Sequence, residues 1–261
     1  KYYKVATDND MILVNSAGNG LYADNQMIYD YAIDPGIWAT EVYTQFDADN
    51  NLITSGKSVG DLKLGGKMII VGSWDGTQIQ GNKAGHICLN INLANNTCND
   101  TFKVKDFYIL APGQIGNQGI YSSVPQNGYL RDSGTSMAAP HVTGAFGIIN
   151  QMWPHMKGDN LVKLILSTAD KDITGYNVNT HGQGLLDLNE ATKPQGATGI
   201  VTTGRTNGPI IDVYGTYFAT GTSLPSNLAN LKVMVLDNYE RDYYVNLGSS
   251  FTVSDNRKLS D

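Results

Sequence analysis

The residues with the clearest capacity for chemistry surround Ser136, within the string GTSMAAPHVTGA at positions 134–145. A serine hydroxyl becomes a strong nucleophile only when a base takes its proton and hydrogen-bond donors stabilise the oxyanion that forms. The turn residues Ser133 and Gly134 predict that Ser136 lies at a helix start, where its backbone N–H lacks an acceptor within the helix and the helix dipole is positive. The string therefore predicts a nucleophilic serine with part of an oxyanion-binding site.

None of the four histidines is a good candidate for the base that Ser136 needs. His141 follows Ser136 by five residues, about 140° around a helix, so its ring cannot face the hydroxyl. His86 lies in the loop with the cysteines, His155 follows the helix, and His181 lies in a loop between glycines. We interpret all four as surface or packing histidines and expect the base to lie outside this chain.

The two cysteines, Cys88 and Cys98, stand ten residues apart, which suits a disulfide across a short hairpin. Such a bond would place the protein in an oxidising compartment, and two unrelated thiols are the alternative. The sequence predicts no cofactor and no metal, since no histidine or cysteine partners stand at zinc-ligand spacing. Residues 47–58, DADNNLITSGKS, begin like a calcium loop but lack its glycine and its final glutamate, which favours a solvated turn.

Three apolar runs predict the strands that position these residues. They are Met11–Asn15, Met68–Gly72 and the run within KDFYILAPG at 105–113, and each is closed by turn residues. Continuous apolar runs of this length are typical of parallel strands that are covered on both faces.

Helical periodicity runs from Thr135 to about Met152, and a second helix is predicted over residues 159–168. Val142, Phe146, Ile149 and Met152 fall on one apolar stripe of the first helix. Gly144 and Gly147 would each cost about 1 kcal/mol relative to alanine in a helix interior, so we expect this helix to pack closely against a sheet there.

The order of these elements predicts an α/β fold, a parallel sheet flanked by helices, over residues 1–194. Residues 21–64 are polar and are interpreted as an insertion, and residues 195–261 as a β-rich linker with a strand–turn–strand pattern around Asp237–Glu240. The net charge of -6 disfavours nucleic acid and anionic membranes as partners. The apolar runs are too short to span a bilayer.

The string at 134–145 closely resembles the serine motif of the subtilisin-like serine proteases, the subtilases. ILVNSAGNG at 12–20 resembles the family's strand and loop with the oxyanion-hole asparagine, and FYILAPG at 107–113 resembles the strand and turn before the serine motif. The resemblance implies an endopeptidase that forms an acyl-enzyme. The implied roles are Ser136 as nucleophile, Asn19 with the Ser136 N–H as the oxyanion hole, and Ser16, Ala17 and Gly18 as part of the substrate pocket.

In subtilases the order along the chain is Asp, His, Asn, Ser, and only 18 residues precede Asn19 here. The resemblance therefore implies the C-terminal half of a catalytic domain, with its Asp and His on a preceding segment. That segment would be a separate chain left by cleavage before Lys1, or simply absent from this sequence. We expect the chain to be stable only in complex with this N-terminal half, which is its predicted partner besides polypeptide substrates.

The tail also carries a resemblance. LKVMVLDNYERDYYVNL at 231–247 resembles the segment that follows the protease domain in bacterial autotransporter subtilases. The resemblance implies export by an autotransporter route to the extracellular space or the bacterial cell surface.

Two other functions stay open. An α/β-hydrolase esterase requires G-x-S-x-G after an apolar strand, but Ala138 stands at the second glycine position and residues 126–134, QNGYLRDSG, predict no strand. A degenerate relative that serves as a surface adhesin or scaffold would need no base, although the intact Ser136 and Asn19 disfavour it. The esterase triad would be Ser136, Asp170 or Asp172, and His181.

Overall fold

A computed structural model describes residues 2–19, 45–46, 52–53, 66–86, 91–92, 97–98, 104–114, 118–201, 210–212 and 232–246. The chain divides into two compact units, Lys1–Thr192 and Lys193–Asp261. Within the described ranges, no helix is long and apolar enough to cross a membrane.

The described helices are α1 (Tyr2–Asp8), α2 (Thr135–Met152), α3 (Gly158–Ser167), α4 (Val178–His181) and α5 (Leu188–Ala191), with 3₁₀ turns at Ala84–His86 and Val104–Phe107. The described strands of the first unit are β1 (Leu13–Ser16), β2 (Gln45–Phe46), β3 (Leu52–Ile53), β4 (Met68–Trp74), β5 (Ile79–Gln80), β6 (Ile91–Asn92), β7 (Thr97–Cys98), β8 (Tyr108–Pro112), β9 (Ile120–Val124) and β10 (Gly128–Asp132). Those of the second unit are β11 (Gly199–Val201), β12 (Ile210–Asp212), β13 (Lys232–Leu236) and β14 (Asp242–Asn246).

The central sheet of the first unit is built around β4. Strands β1 and β8 both run parallel to it, and β5 pairs with its end in the antiparallel direction. The first six residues of β4 are buried, whereas all four residues of β1 are only half-buried. The three predicted strands are confirmed, with β1 shifted by one to two residues. The expected cover on both faces, which favours a continuous apolar run, is found for β4 and β8 but not for the half-buried β1.

Helix α2 packs against β1, β4 and β8, and it has the predicted bounds. Val142, Phe146 and Ile149 are buried as expected, but Met152 is 50% exposed, so its place on the buried stripe is wrong. The close packing expected at Gly144 and Gly147 is also wrong: a Cβ at either position would meet nothing within 4 Å. The apolar stripe faces the sheet, and both glycines lie on the opposite, exposed side of the helix.

Strands β9 and β10 form an antiparallel hairpin immediately before α2. The sequence predicted no strand over residues 126–134, and that prediction is wrong. Gln126 and Asn127 both adopt positive φ, of 68° and 60°, which is the backbone a tight hairpin turn requires. Most residues of the hairpin are exposed, so the pattern lacks the apolar alternation by which a half-buried strand is recognised.

The described strands of the second unit form an antiparallel sheet in the order β12-β11-β13-β14. The strand–turn–strand pattern around Asp237–Glu240 is confirmed, because β13 and β14 flank that turn. Asp237 and Arg241 are both fully buried and form an ion pair of 2.7 Å. Arg241 also donates to the carbonyl of Lys193, at 2.8 Å.

Several predictions concern residues beyond the described ranges. Apart from β2 and β3, the segment 21–64 lies outside them, as do Asp47, Asp49 and Asn51 of the rejected calcium loop. Strands β6 and β7 pair in the antiparallel direction, with Cys98 opposite Ile91. Cys88 is not among the described residues, so the disulfide stays a prediction.

Candidate active site

Ser136 is the second residue of α2, and its side chain is exposed. Gly134 caps the helix with φ 136° and ψ -179°, a backbone conformation that favours glycine. A Cβ at Gly134 would lie 2.8 Å from both the oxygen and the nitrogen of the Asn19 carboxamide. The glycine before Thr135 is therefore required both by the turn into the helix and by the close approach of Asn19.

Asn19 follows β1 at the carboxyl edge of the parallel sheet, and the fold brings it to the start of α2 across 116 residues of sequence. Its side-chain oxygen accepts hydrogen bonds from the Thr135 backbone N–H at 2.8 Å and from the Thr135 hydroxyl at 3.0 Å. The same hydroxyl accepts from the Gly18 N–H at 3.1 Å. A backbone N–H can only donate, so the Asn19 atom facing it must be the oxygen, which sets the orientation of the carboxamide.

Two donor groups at this point have no acceptor among the residues that the structure describes. Neither the Asn19 side-chain N–H groups nor the Ser136 N–H donates to a described residue. Asn19 lies in the loop after β1 and Ser136 in the first turn of α2, and the hydrogen bonds of Thr135 hold this loop against the helix. Donors that are held in place without an acceptor are the chemical requirement of an oxyanion hole.

Ser16, Ala17 and Gly18 lead from β1 into Asn19. The Ala17 N–H donates to the carbonyl of Val71 at 2.9 Å, and Gly18 has a positive φ of 87°. The structure thus places these three residues beside Asn19, at the carboxyl edge of the sheet. Their role in lining a substrate pocket stays a prediction.

The histidines do not complete the site within the described residues. His141 Nδ1 lies 2.9 Å from the Met137 carbonyl on its own helix, and His155 lies beyond the end of α2. His86 ends a 3₁₀ turn, and its side chain lies outside what the structure describes. In the described part of the chain, no histidine is hydrogen-bonded to Ser136.

His181 is buried at the end of the short helix α4, so the loop predicted for it is wrong, whereas a packing role fits its surroundings. Its ring lies 6.3 Å from that of Trp74 and 5.8 Å from that of Tyr176, between ring centroids. The Asp170 carboxylate accepts from the Asp172 N–H rather than from His181. The residues of the alternative esterase triad are therefore not joined by hydrogen bonds in the structure.

Asp75 is the acidic residue that directly follows β4, the central strand of the sheet. Its carboxylate accepts from the Thr77 and Gln78 N–H groups, the Thr77 hydroxyl and the Gln80 side chain, at 2.7 to 2.9 Å. Burial raises the pKa of Asp75, but these hydrogen bonds outweigh it and lower the pKa to about 2. The carboxylate holds the turn and is engaged with donors other than a histidine.

Sequence reasoning singled out neither Thr135 as the residue that orients Asn19 nor Asn82 as a neighbour of the same loop. Asn82 is fully buried and bonds to the backbone of Ala17 and Gly18. The only local signal was that Asn82 is a polar residue after Gly81, and this does not reveal that its partner is Ala17, 65 positions away.

The profile of the family described as "Subtilase family" matches residues 1–190 of this chain. An extracellular serine protease of Serratia marcescens is 42% identical over 76 residues, which cover 29% of this chain and 7% of that protein. Subtilisin DY of Bacillus licheniformis is 32% identical over 85 residues, covering 33% of this chain and 28% of its own length. The matched part thus spans less than a third of each of these curated relatives.

Among solved structures, the PatG macrocyclase domain has a TM-score of 0.42 at 18% identity, covering 72% of this chain and 44% of that one. A protease of Pseudoalteromonas arctica has a TM-score of 0.41 at 20% identity, with the same coverage of 72% and 44%. The family profile, in contrast, extends over more than half of the sequence and includes both Asn19 and Ser136. On that ground, this chain belongs to the subtilase family.

Proposed function

We propose that the chain is the C-terminal half of the catalytic domain of a serine endopeptidase, in which Ser136 attacks peptide bonds. The observation that carries the proposal is the arrangement at the start of α2. Thr135 holds the Asn19 oxygen, while the Asn19 amide and the Ser136 N–H remain without described acceptors. This is the donor pair that the family's chemistry requires beside its nucleophile.

In this reaction the Ser136 oxygen attacks the carbonyl carbon of the scissile peptide bond, and an imidazole takes the hydroxyl proton. The former carbonyl oxygen becomes an oxyanion, which accepts hydrogen bonds from the Ser136 N–H and the Asn19 side chain. Collapse of the tetrahedral intermediate expels the amine, which takes the proton from the imidazolium. Water then hydrolyses the acyl-enzyme by the same steps in reverse.

The imidazole and its carboxylate partner are proposed to come from the N-terminal half of the same domain, on a preceding segment or a separate chain. Within the described residues no histidine bonds to Ser136, and the carboxylates of Asp75 and Asp170 accept hydrogen bonds from other residues. A serine without a base is a poor nucleophile, so the proposed activity requires both halves.

The exposed side of α2 supports the proposal that an N-terminal half packs against this chain. Its 18 residues include no Asp, Glu, Lys or Arg, although about half of them are exposed. The exposed side carries uncharged polar residues such as Thr143, Asn150 and Gln151. It also carries Ile148 at 46% exposure, Met152 at 50%, and the two glycines with open space over them. Helices that face water carry charged residues on that face, and the lack of charge here supports a further covering element. Ser136 lies on the same exposed side.

The edge strand of the central sheet also supports the proposed N-terminal half. Strand β1 pairs with β4 on one side, and the structure describes no strand on its other side. Its half-buried side chains contrast with the buried ones of β4. An edge of this kind is available for pairing with a further strand. The preceding half would extend the sheet from β1 and pack on α2.

We also propose an extracellular or cell-surface location with export by an autotransporter route. Relatives named as extracellular proteases support the location. The resemblance of residues 231–247 to autotransporter linkers supports the route. Polypeptides are the proposed substrates, and nucleic acid is not a proposed partner at a net charge of -6.

Covalent labelling of Ser136 by a fluorophosphonate tests the proposal. The N-terminal half would be obtained from the gene region upstream of Lys1 and mixed with this chain, with Ser136→Ala as the control. We expect labelling of Ser136 in the complex, and neither in the isolated chain nor in the Ser136→Ala complex. An unlabelled but fully assembled complex would instead support a catalytically silent scaffold or adhesin. Labelling of the isolated chain would place the base within it and revive the esterase.

A further inference from the structure

We propose that Asn82 is a positioning residue for the oxyanion hole, which holds the backbone of Ala17 and Gly18 and thereby sets the place of Asn19. This rests on the proposed function, since it takes Asn19 as an oxyanion donor. Asn82 is 65 residues away from Ala17 in sequence and lies just after β5, on a segment with no other assigned role.

Two hydrogen bonds connect Asn82 to the loop. Its side-chain N–H donates to the Ala17 carbonyl at 2.7 Å, and its backbone N–H donates to the Gly18 carbonyl at 3.1 Å. These are the two carbonyls immediately before Asn19 along the chain. Because each carbonyl belongs to a planar peptide group, holding both of them restricts the path by which the backbone enters Asn19.

The same loop is also held by the first residue of α2. The Thr135 hydroxyl accepts from the Gly18 N–H, and Thr135 donates to the Asn19 oxygen. Gly81 also approaches closely: a Cβ there would lie 2.8 Å from the Gly18 carbonyl oxygen and 3.3 Å from the Asn19 Cα. The loop is therefore held by both Thr135 and the segment Gly81–Asn82, which also lie against each other, so displacement of either one moves Asn19.

Asn82 is in turn anchored to the sheet by Tyr108 of β8. The Tyr108 hydroxyl donates to the Asn82 carbonyl at 2.7 Å, and both residues are fully buried. Burial raises the pKa of Tyr108, so the hydroxyl keeps the proton that it donates. Gly72 on the neighbouring strand leaves the space for this hydroxyl, since a Cβ there would overlap it.

The side chain of Asn82 has a feature that packing alone would disfavour. Its oxygen is buried and has no hydrogen-bond partner among the described residues. Leaving a buried acceptor unpaired costs about 1–3 kcal/mol, so filling this space does not by itself account for a carboxamide here. We explain the Asn82 carboxamide by the hydrogen bond that its N–H group donates to the Ala17 carbonyl.

A double-mutant cycle on the complete protease, assembled from both halves, tests the proposal. The variants are Asn82→Ala, Asn19→Ala and the double substitution, assayed for kcat and KM on one peptide substrate. We expect Asn82→Ala to lower kcat about 10- to 100-fold with little change in KM, since small misplacements of a catalytic group have effects of this size. In the Asn19→Ala background, Asn82→Ala should cause no further loss of kcat, because Asn82 acts through Asn19.

Gln183→Ala is the matched control. Its side chain also donates from an amide to a distant backbone carbonyl, that of Lys105 at 2.9 Å. We expect this variant to lose stability without a loss of kcat. Tyr108→Phe is the milder second variant, for use if Asn82→Ala does not fold, and its smaller loss of kcat should also vanish in the Asn19→Ala background.

Two results would overturn the proposal: a folded Asn82→Ala or Tyr108→Phe enzyme with unchanged kcat, or a loss of kcat that is equal with and without the Asn19 side chain. The proposed function fails separately. If Asn19→Ala alone leaves kcat unchanged, the oxyanion role of Asn19 is wrong, whatever the Asn82 variants do.

Discussion

At the scale of single residues, Thr135 decides which way the Asn19 carboxamide faces. Its backbone N–H and its hydroxyl both converge on the Asn19 oxygen, at 2.8 and 3.0 Å. The nitrogen of the carboxamide must then point away from Thr135 and keeps its N–H groups for another acceptor. The residue beside the proposed nucleophile thus prepares the second donor of the proposed oxyanion hole.

Asp75 gives a prediction at the same scale. Its folded-state pKa of about 2 lies below the value of about 3.9 for an unperturbed carboxyl, so the stability that it contributes is present above about pH 4 and is lost as the pH falls toward 2. Asp75→Asn should therefore lower the melting temperature near neutral pH. The difference from the wild-type chain should narrow between pH 4 and pH 2.

The measurement is thermal unfolding across that pH range in the same buffer series. Asp172→Asn is a suitable control. Asp172 is exposed, and among the described residues its carboxylate lacks the set of hydrogen-bond donors that surrounds the Asp75 carboxylate. A constant difference in melting temperature down to pH 2 would contradict a carboxylate role for Asp75.

At the scale of elements, the described residues cover only one side of α2. Its apolar stripe covers β1, β4 and β8, and its other side is free of charge and rich in glycine. Each glycine in an exposed helix interior costs stability relative to alanine. Under the proposed function, this cost is offset where the N-terminal half comes close enough that no Cβ fits.

We therefore predict opposite effects of Gly144→Ala and Gly147→Ala on the helix alone and on the assembled protease. In a peptide of Thr135–Met152 each should stabilise the helix by about 1 kcal/mol, and in the chain the added Cβ meets nothing within 4 Å. In the complex with the N-terminal half each should weaken association, because the Cβ would intrude on the partner. Circular dichroism of the peptide and titration of the two halves measure the two effects.

Lys163→Ala on α3 is the control for this pair. Lys163 is exposed and pairs with Asp159 one turn earlier, so its loss should change association little. Unchanged association of both glycine variants would mean that the partner does not cover this side of α2.

At the scale of the whole molecule, the chain has two compact units, and the second contains its own buried polar centre. Arg241 donates to the Asp237 carboxylate from two nitrogens, at 3.0 and 2.7 Å, and to the Lys193 carbonyl. Its guanidinium also lies within 6 Å of the rings of Tyr239 and Tyr243. Removal of one partner of such a pair leaves the other charge buried without compensation.

We predict that Arg241→Ala destabilises the second unit by about 3–5 kcal/mol and leaves the first intact. Hydrogen exchange of the β13 and β14 amides should accelerate strongly. The three tryptophans all precede Lys193, so their fluorescence reports only on the first unit. An equal shift of the fluorescence transition would show instead that the two units unfold together. The double substitution Asp237→Leu with Arg241→Met should recover only part of the lost stability. It leaves no unpaired charge, but it removes the acceptor of the Gln195, Tyr239 and Arg241 backbone N–H groups.

The sequence by itself determined the elements whose signals are local. The strands β4 and β8 appear as short apolar runs because a parallel strand buried on both faces needs apolar residues at every position. Strand β1 is only half-buried, and its apolar run ends in Asn15 and Ser16. The bounds of α2 follow from its turn residues and its periodicity, and the string around Ser136 identifies the family. Predictions about Ser136 and Asn19 come from residue type and order, which one sequence displays directly.

Only the tertiary structure decided the contacts between distant segments. Asn19 and Thr135 lie 116 residues apart, and Asn82 and Ala17 lie 65 apart, so nothing in the local pattern links them. The hairpin β9–β10 is mostly exposed and carries no apolar alternation that could reveal it. The glycines of α2 signal close packing, but whether the neighbour is the sheet or another protein depends on which side of the helix is already covered. Periodicity identifies a face, and only the positions of the other elements determine what that face contacts.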